Sequence, residues 1–256
     1  MIEAPERAPV ETVALGHPSY VWRSGQDRRL ALIQRYAPLE GRAILDVGCG
    51  IGAYVRKLGE LSDRVYGVDI EARRVRQGAG LPGVAVAVSE WLPFADAAFD
   101  VVLLNEVIEH VRDESATLRE ACRVLRPGGR LVIYAPNRLF PFETHGVYLG
   151  KRYVFGNIPL VNYLPGFLRR RLVPHARAYL KRDLRRLVEG LDARVVVHTY
   201  VYPGFDNIAA RSGLLARLLR GLLYRLEGTW FRTFGLSHFL VLRTRRDGGA
   251  AEGSHG

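Results

Sequence analysis

The chain of 256 residues contains two cysteines, one methionine and only three lysines among its 37 basic residues. Cys49 and Cys122 are two lone cysteines far apart in sequence, a pattern that does not point to a disulfide framework or a CxxC metal site. Long apolar runs are missing as well: none reaches the roughly 18 residues that a membrane-spanning helix needs. The first residues also lack the charged and apolar regions of a secretory leader. Together these absences make a cytoplasmic protein the expectation. Acidic residues are scarce in one half only. Residues 1–150 carry 18 Lys or Arg against 19 Asp or Glu, a net of −1, whereas residues 151–246 carry 19 against 5, a net of +14. A half that basic suits an anionic lipid surface or RNA phosphates.

What is present is an alternation of short apolar strands with helical stretches. The spacing predicts helices over 25–37, 52–60, from about 71, 115–125 and 180–190. It predicts strands over 43–47, 65–69, 84–88, 101–104, 130–135, 194–202 and 238–244. That order implies an α/β fold with a parallel sheet covered on both faces. With 48% of its residues apolar, the chain can build one core. A single domain is expected over 1–246, with 25–136 as its centre. Segments 137–175 and 204–234 interrupt the alternation as two insertions, and 247–256 reads as a disordered tail.

The most informative segment is Ile44-Leu-Asp46-Val-Gly48-Cys-Gly50-Ile-Gly52. An apolar strand ends at an acid, and glycines at alternate positions let the backbone turn sharply beside a ligand. The pattern is not the dinucleotide G-x-G-x-x-G, because the third glycine arrives one residue early. Asp69 closes the second strand 23 residues after Asp46, where a carboxylate can accept from both hydroxyls of a ribose. Ser89-Glu90-Trp91-Leu92-Pro93-Phe94 follows the third strand. Asp96–Asp100 leads into the fourth, and Leu125-Arg-Pro-Gly-Gly129 precedes the fifth.

Over roughly residues 40–136, these ordered motifs resemble the ubiquinone/menaquinone-biosynthesis type of class I S-adenosylmethionine (SAM) methyltransferase. The resemblance implies a Rossmann-like seven-stranded sheet with helices on both faces and the two insertions after strands five and six. It also implies SAM as cofactor and methyl transfer as the activity. Carried across by position, Asp46, Gly48, Gly50 and Gly52 approach the methionyl part of SAM. Asp69 holds the ribose, Ile70 packs on the adenine, Ser89 and Glu90 border its edge, and Asn105 closes the fourth strand beside it. Arg28 stands where relatives have an arginine that reaches the cofactor carboxylate. Val88 departs from the pattern, since many relatives carry an aspartate there. Tyr20 and Trp22 are candidates for folding over the cofactor, or for a hydrophobic latch.

Asn105-Glu106-Val-Ile-Glu109-His110 follows the fourth strand. In a helical turn, Glu106, Glu109 and His110 would share one face at the sheet edge. Two carboxylates and an imidazole suit a divalent cation such as Mg²⁺, Mn²⁺ or Zn²⁺. The pattern resembles the metal motif of ubiquinone-pathway catechol O-methyltransferases and of small-RNA 2′-O-methyltransferases. That resemblance adds a later histidine, His175, with His145 as its rival. Many relatives carry Glu-His-Val here without metal, so both readings stay open. For the proton of the acceptor, His110 and His145 are the two candidate bases.

Residues 137–175 are rich in aromatics and lie where this fold usually builds its acceptor pocket. In residues 208–226, Leu215, Leu218, Leu219, Leu222 and Leu226 form an apolar helical face, with Arg217 and Arg220 turned from it and Arg225 at its edge. Such a helix either packs on the domain or rests on anionic lipid at the inner face of a membrane. The expected reaction is O-methylation of a small or lipid-linked acceptor, such as a quinone precursor or a glycan. An RNA 2′-O-methyltransferase using the basic half, and a non-catalytic SAM-binding protein, remain as alternatives.

Overall fold

The computed structural model describes residues 22–78 and 80–245, so Tyr20 and the expected tail over 247–256 lie outside the described residues. In chain order the first half gives α1 (Ser24–Tyr36), β1 (Ile44–Val47), α2 (Ala53–Leu58), β2 (Val65–Asp69), α3 (Ala72–Gln77) and β3 (Val84–Val86). It continues with β4 (Phe99–Asn105), α4 (Glu114–Arg123) and β5 (Leu125–Pro136). One sheet of seven strands orders these and two later strands, β10 (Ala193–Val201) and β11 (Ser237–Thr244), as β10-β11-β5-β4-β1-β2-β3. Neighbours from β3 to β5 pair in parallel, and β11 runs antiparallel between β5 and β10.

The central strands lack polar alternation because both of their faces are covered. On one side Leu45, Val102, Leu104, Leu131 and Leu240 pack against Leu118 and Ala121 of α4. Leu184 and Val188 of α6 (Lys181–Glu189) extend that layer. On the other, Ile44, Leu103, Val132, Tyr134 and Phe239 pack against Leu30 and Ile33 of α1 and against Tyr54, Val55 and Leu58 of α2. With β1, β2, β4 and β5 all parallel, their carboxyl ends open on one edge, which Asp46, Asp69 and Asn105 reach. No helix among the described residues is long and apolar enough to cross a membrane.

Two local expectations change. The expected turn before the fifth strand lies within β5: Phe99 pairs with Leu125 and Val101 with Arg130, so the intervening residues bulge without ending the strand. The expected helical turn at Glu106–His110 is a non-helical turn, and α4 starts only at Glu114. Glu106 has φ of 58°, which breaks a helix at its first residue.

The two insertions are built differently. The first contains β6 (Phe142–Glu143), β7 (Val147–Leu149), β8 (Arg152–Val154), β9 (Ile158–Pro159) and α5 (Gly166–Leu172). β6 pairs with β9 and β7 with β8, and Val147, Val161, Val173 and Ala176 give this segment a small core of its own. The second contains α7 (Asp206–Ala209), α8 (Gly213–Leu226) and a 3-10 turn over Trp230–Phe234.

Leu118 joins α4 to the sheet with no exposed surface. Leu118→Ala is expected to cost about 2–5 kcal/mol, seen as a lower urea midpoint with an unchanged slope.

Candidate active site

A cavity of about 1130 Å³ opens on the carboxyl edge of the sheet. Its first wall is the glycine turn. Gly48 and Cys49 both donate to the Val68 carbonyl, at 2.7 and 2.9 Å, which folds the chain tightly over the end of β2. Gly48 has φ of +73°, and a Cβ on it would lie 2.5 Å from the Val107 side chain. That position therefore accepts only glycine. Gly50 N–H donates to Asp69 Oδ2 at 2.8 Å, and Glu71 N–H donates to Asp69 Oδ1 at 2.9 Å. The turn and the ribose-binding candidate are thus locked together. Burial and the Asp69 carboxylate push the Asp46 carboxyl up to about 8. Ile70, Val88, Ser89 and Glu90 line the same end. Ser89 bonds Glu90 and Thr117, while Glu90 accepts from the Arg112 and Asp113 amides. Gly52 stays outside the lining and meets Leu81.

The second wall centres on Arg29. Its guanidinium donates to Asn105 Oδ1 and Glu106 Oε1, both at 2.8 Å, and to Ser237 Oγ at 2.9 Å. Ser237 donates in turn to Glu106 Oε1 at 2.6 Å. Burial opposes the Glu106 charge, but Arg29 and Ser237 outweigh it and hold the carboxyl below its ordinary range. Arg28, the residue singled out from the sequence, points elsewhere. It pairs with Glu227 and lies 3.9 Å over the Tyr224 ring, away from the cavity lining. Adjacent positions on α1 are about 100° apart, so only one can face the cavity. Arg74 and Tyr54 also line it and carried no signal in the motifs. Trp22 packs edge-on against Tyr54 at 4.9 Å.

The third wall is formed by His110 and His145, with the buried Glu109 behind them. The ligating atoms of all three lie within 4.8 Å of one another. Each imidazole Nε2 lies 3.9 Å from Glu109 Oε1. Glu109 is buried with neither carboxylate oxygen hydrogen-bonded, and burial together with Glu106 holds its carboxyl well above the ordinary range. His110 Nδ1 bonds the His175 carbonyl at 2.9 Å, and burial followed by His145 lowers its pKa to about 4. Both the backbone N–H and Nδ1 of His145 reach Glu143 Oε1 at 2.9 Å. Glu143 is held by Arg169 Nη2 at 2.6 Å. Burial would raise the Glu143 carboxyl, yet His145 and Arg169 reverse this and bring it to about 2. Arg169 spends its remaining donors on Asn162 and the Ala176 carbonyl, so this buried network is satisfied.

The set differs from the expected metal ligands. Glu106 is tied to Arg29 and Ser237, and His175 meets His110 only through its backbone carbonyl, which accepts from His110 Nδ1, while its Nε2 bonds the His145 carbonyl. Glu106 remains close enough to Glu109 to raise its pKa but stays outside the cluster, in which His145 takes the place given to His175.

Residues 45–133 match the family model of the methyltransferase domain. Those residues are a class I SAM methyltransferase domain. A ubiquinone biosynthesis O-methyltransferase of Paracidovorax citrulli is 31% identical over 140 residues, covering 51% of this chain and 58% of that protein. The chain thus spans under two thirds of that relative. A SAM-dependent methyltransferase from Mesorhizobium loti superposes with a TM-score of 0.55 at 19% identity, over 84% of this chain and 96% of that one. The [4+2]-cyclase SpnF superposes with a TM-score of 0.57 at 19% identity, over 88% and 84%. Likeness at this level describes the fold, and a cyclase among the neighbours shows that the fold alone does not name the reaction.

SAM is the cofactor of this family, and the first wall fits it. The methyltransferase domain offers a glycine turn lining the cavity, a fixed Asp69 carboxylate, and an Asp46 able to answer a cation. With its pKa near 8, Asp46 is largely protonated at neutral pH in the free protein. A cationic ligand favours the ionised form, so binding releases a proton. SAM affinity is expected to rise with pH up to about 8 and then level off. Calorimetry in buffers of different ionisation heat reads that proton, and Asp46→Asn should abolish the slope.

Proposed function

We propose that this protein transfers the methyl group of SAM to a hydroxyl oxygen of a small or lipid-linked acceptor, with His145 taking the acceptor's proton. The observation that carries the reading is the continuity of one cavity, from Asp46 and Asp69 at one end to His110 and His145 at the other. Its volume, about 1130 Å³, accommodates two ligands of ordinary size. The names of the similar proteins, ubiquinone biosynthesis O-methyltransferases, point to oxygen as the receiving atom.

His145 Nε2 takes the proton of the acceptor hydroxyl, whose oxygen the cavity holds toward the cofactor end. SAM, held by Asp46, Gly50 and Asp69, would supply the methyl group as an electrophile and keep the electron pair of its own carbon–sulfonium bond. Positioning supplies much of the acceleration, because both partners are held in one enclosed space. Glu143 fixes the His145 tautomer: with Nδ1–H donated to the carboxylate, Nε2 is left as the acceptor. The imidazolium formed on proton transfer meets an ionised Glu143. His110 has a pKa of about 4, which makes it a weak base and an acceptor of hydrogen bonds that orients the substrate hydroxyl.

A second reading rests on the orphaned Glu109 carboxylate. Glu109, His110 and His145 would hold a divalent cation, which when bound would lower the pKa of an acceptor hydroxyl. The two readings use the same His145 nitrogen and are separated by chelation. Activity that survives EDTA supports the base; activity lost to EDTA and restored by Mg²⁺, Mn²⁺ or Zn²⁺ supports the cation.

The test of the activity itself is mass spectrometry of extracts incubated with methyl-labelled SAM, with and without membranes. Product from no extract would leave the protein as a SAM binder and end the proposal. With an acceptor in hand, His145→Ala should lower kcat by about 10²–10⁴-fold while SAM affinity is kept. Glu143→Gln should lower kcat less and displace the acidic limb of the pH profile.

A further inference from the structure

Helix α8 is mounted with its leucines outward. Leu214, Leu218 and Leu222 are 67%, 63% and 60% exposed, and Leu215 joins them. Leu215, Leu218 and Leu222 recur at helical spacing and make one stripe along a helix of 14 residues. The side facing the domain carries Ala216 and the half-buried Leu219, Leu223 and Leu226, and polar contacts anchor it. Arg220 Nε donates to the Gly204 carbonyl at 2.8 Å, and Tyr224 donates to the Pro203 carbonyl at 3.2 Å. Glu227, just beyond the helix, pairs with Arg28 and accepts from the Tyr202 amide at 2.8 Å. Ala216 is the one fully buried residue of α8. An amphipathic helix packed on a soluble domain has the opposite arrangement, with leucines inward and charges outward.

The charge around the stripe has one sign. Arg211, Arg217 and Arg225 are exposed and flank the leucines. No acidic residue occurs from 207 to 226, and the acids on either side are turned inward. Asp206 bonds Ser24 and Arg220, and Glu227 bonds Arg28. Beyond the helix, Trp230 is 65% exposed and stacks on Phe231, an amphipathic ring at the edge of an apolar stripe. We propose that this face of α8 docks on the surface of an anionic lipid bilayer, with the leucines and Trp230 in the acyl boundary and the three arginines at headgroup phosphates. Exposed leucines argue for lipid over a nucleic acid, whose phosphates reward arginines but not aliphatic chains. Long arginine stems let the guanidinium reach the headgroups while the methylenes stay beside the leucines. Docking of this kind does not depend on methyl transfer and can be read without it.

The experiment is flotation of the full chain with vesicles of phosphatidylcholine plus phosphatidylglycerol, against phosphatidylcholine alone. The protein is expected to float with the anionic vesicles, and less so as salt rises. Leu218→Ser with Leu222→Ser should weaken binding by about tenfold or more. Arg211→Gln with Arg217→Gln and Arg225→Gln should weaken it by about a hundredfold. All five side chains face solvent, so SAM affinity and melting temperature should hold in both variants, and that control separates docking from misfolding. No flotation of the unaltered chain overturns the proposal, as does flotation indifferent to both sets of substitutions. So do two other results in the absence of flotation. One is a salt-sensitive RNA shift lost with the arginines. The other is a dimer in sedimentation that Leu218→Ser dissociates.

Discussion

The Arg29 guanidinium joins helix α1 to two strands that are distant in sequence. It binds Asn105 and Glu106 at the end of β4 and Ser237 at the start of β11. A charge at that depth is tolerated only with its partners in place, since removing one leaves another buried and uncompensated. Glu106 adopts a left-handed conformation that an ordinary residue avoids, and its carboxylate is held by both Arg29 and Ser237. This wall stands between the two ends of the cavity, and the strand end it fixes carries the chain on to Glu109 and His110.

The first insertion has a comparable logic at the other end. His145 reaches the cavity only because Glu143 holds its ring, and Glu143 is in turn held by Arg169 of α5. Arg169 spans to Asn162 and the Ala176 carbonyl, so one buried guanidinium collects three parts of the segment. A segment of short two-stranded pieces has little core, and the polar network supplies the rigidity that a base requires. The second insertion is anchored through Arg28, the neighbour of Arg29. Consecutive arginines on α1 thereby serve the cavity and the outward-facing helix separately.

The fold was largely legible from the sequence. The continuous apolar strands read correctly as a parallel sheet from β3 to β5, since strands buried on both faces need no alternation, but the antiparallel β11 departs from that expectation. The glycine turn and Asp69 were legible for a similar reason: their partners are close in sequence or fixed by strand pairing. Where the text of the sequence misled, the cause was helical geometry or long-range contact. A choice between Arg28 and Arg29 depends on a rotation of one residue. The turn at Glu106 depends on Arg29 and Ser237, which lie 77 and 131 residues away.

The sequence by itself determined the α/β sheet, the position of the glycine turn and Asp69 at its carboxyl edge, and the strong basicity of the second half. These depend on periodicity, local turns and composition, which the chain carries wherever it folds. Tertiary structure alone decided which histidine joins Glu109 and which face of α8 meets solvent. His145 and His175 are both insertion histidines near aromatic residues, and only the packing of the segment places one beside Glu109. The leucines of α8 form an apolar stripe in any helix. Whether that stripe is core or surface depends on the polar contacts that mount it, from Arg28, Gly204 and Pro203, and those groups come together only in the folded chain.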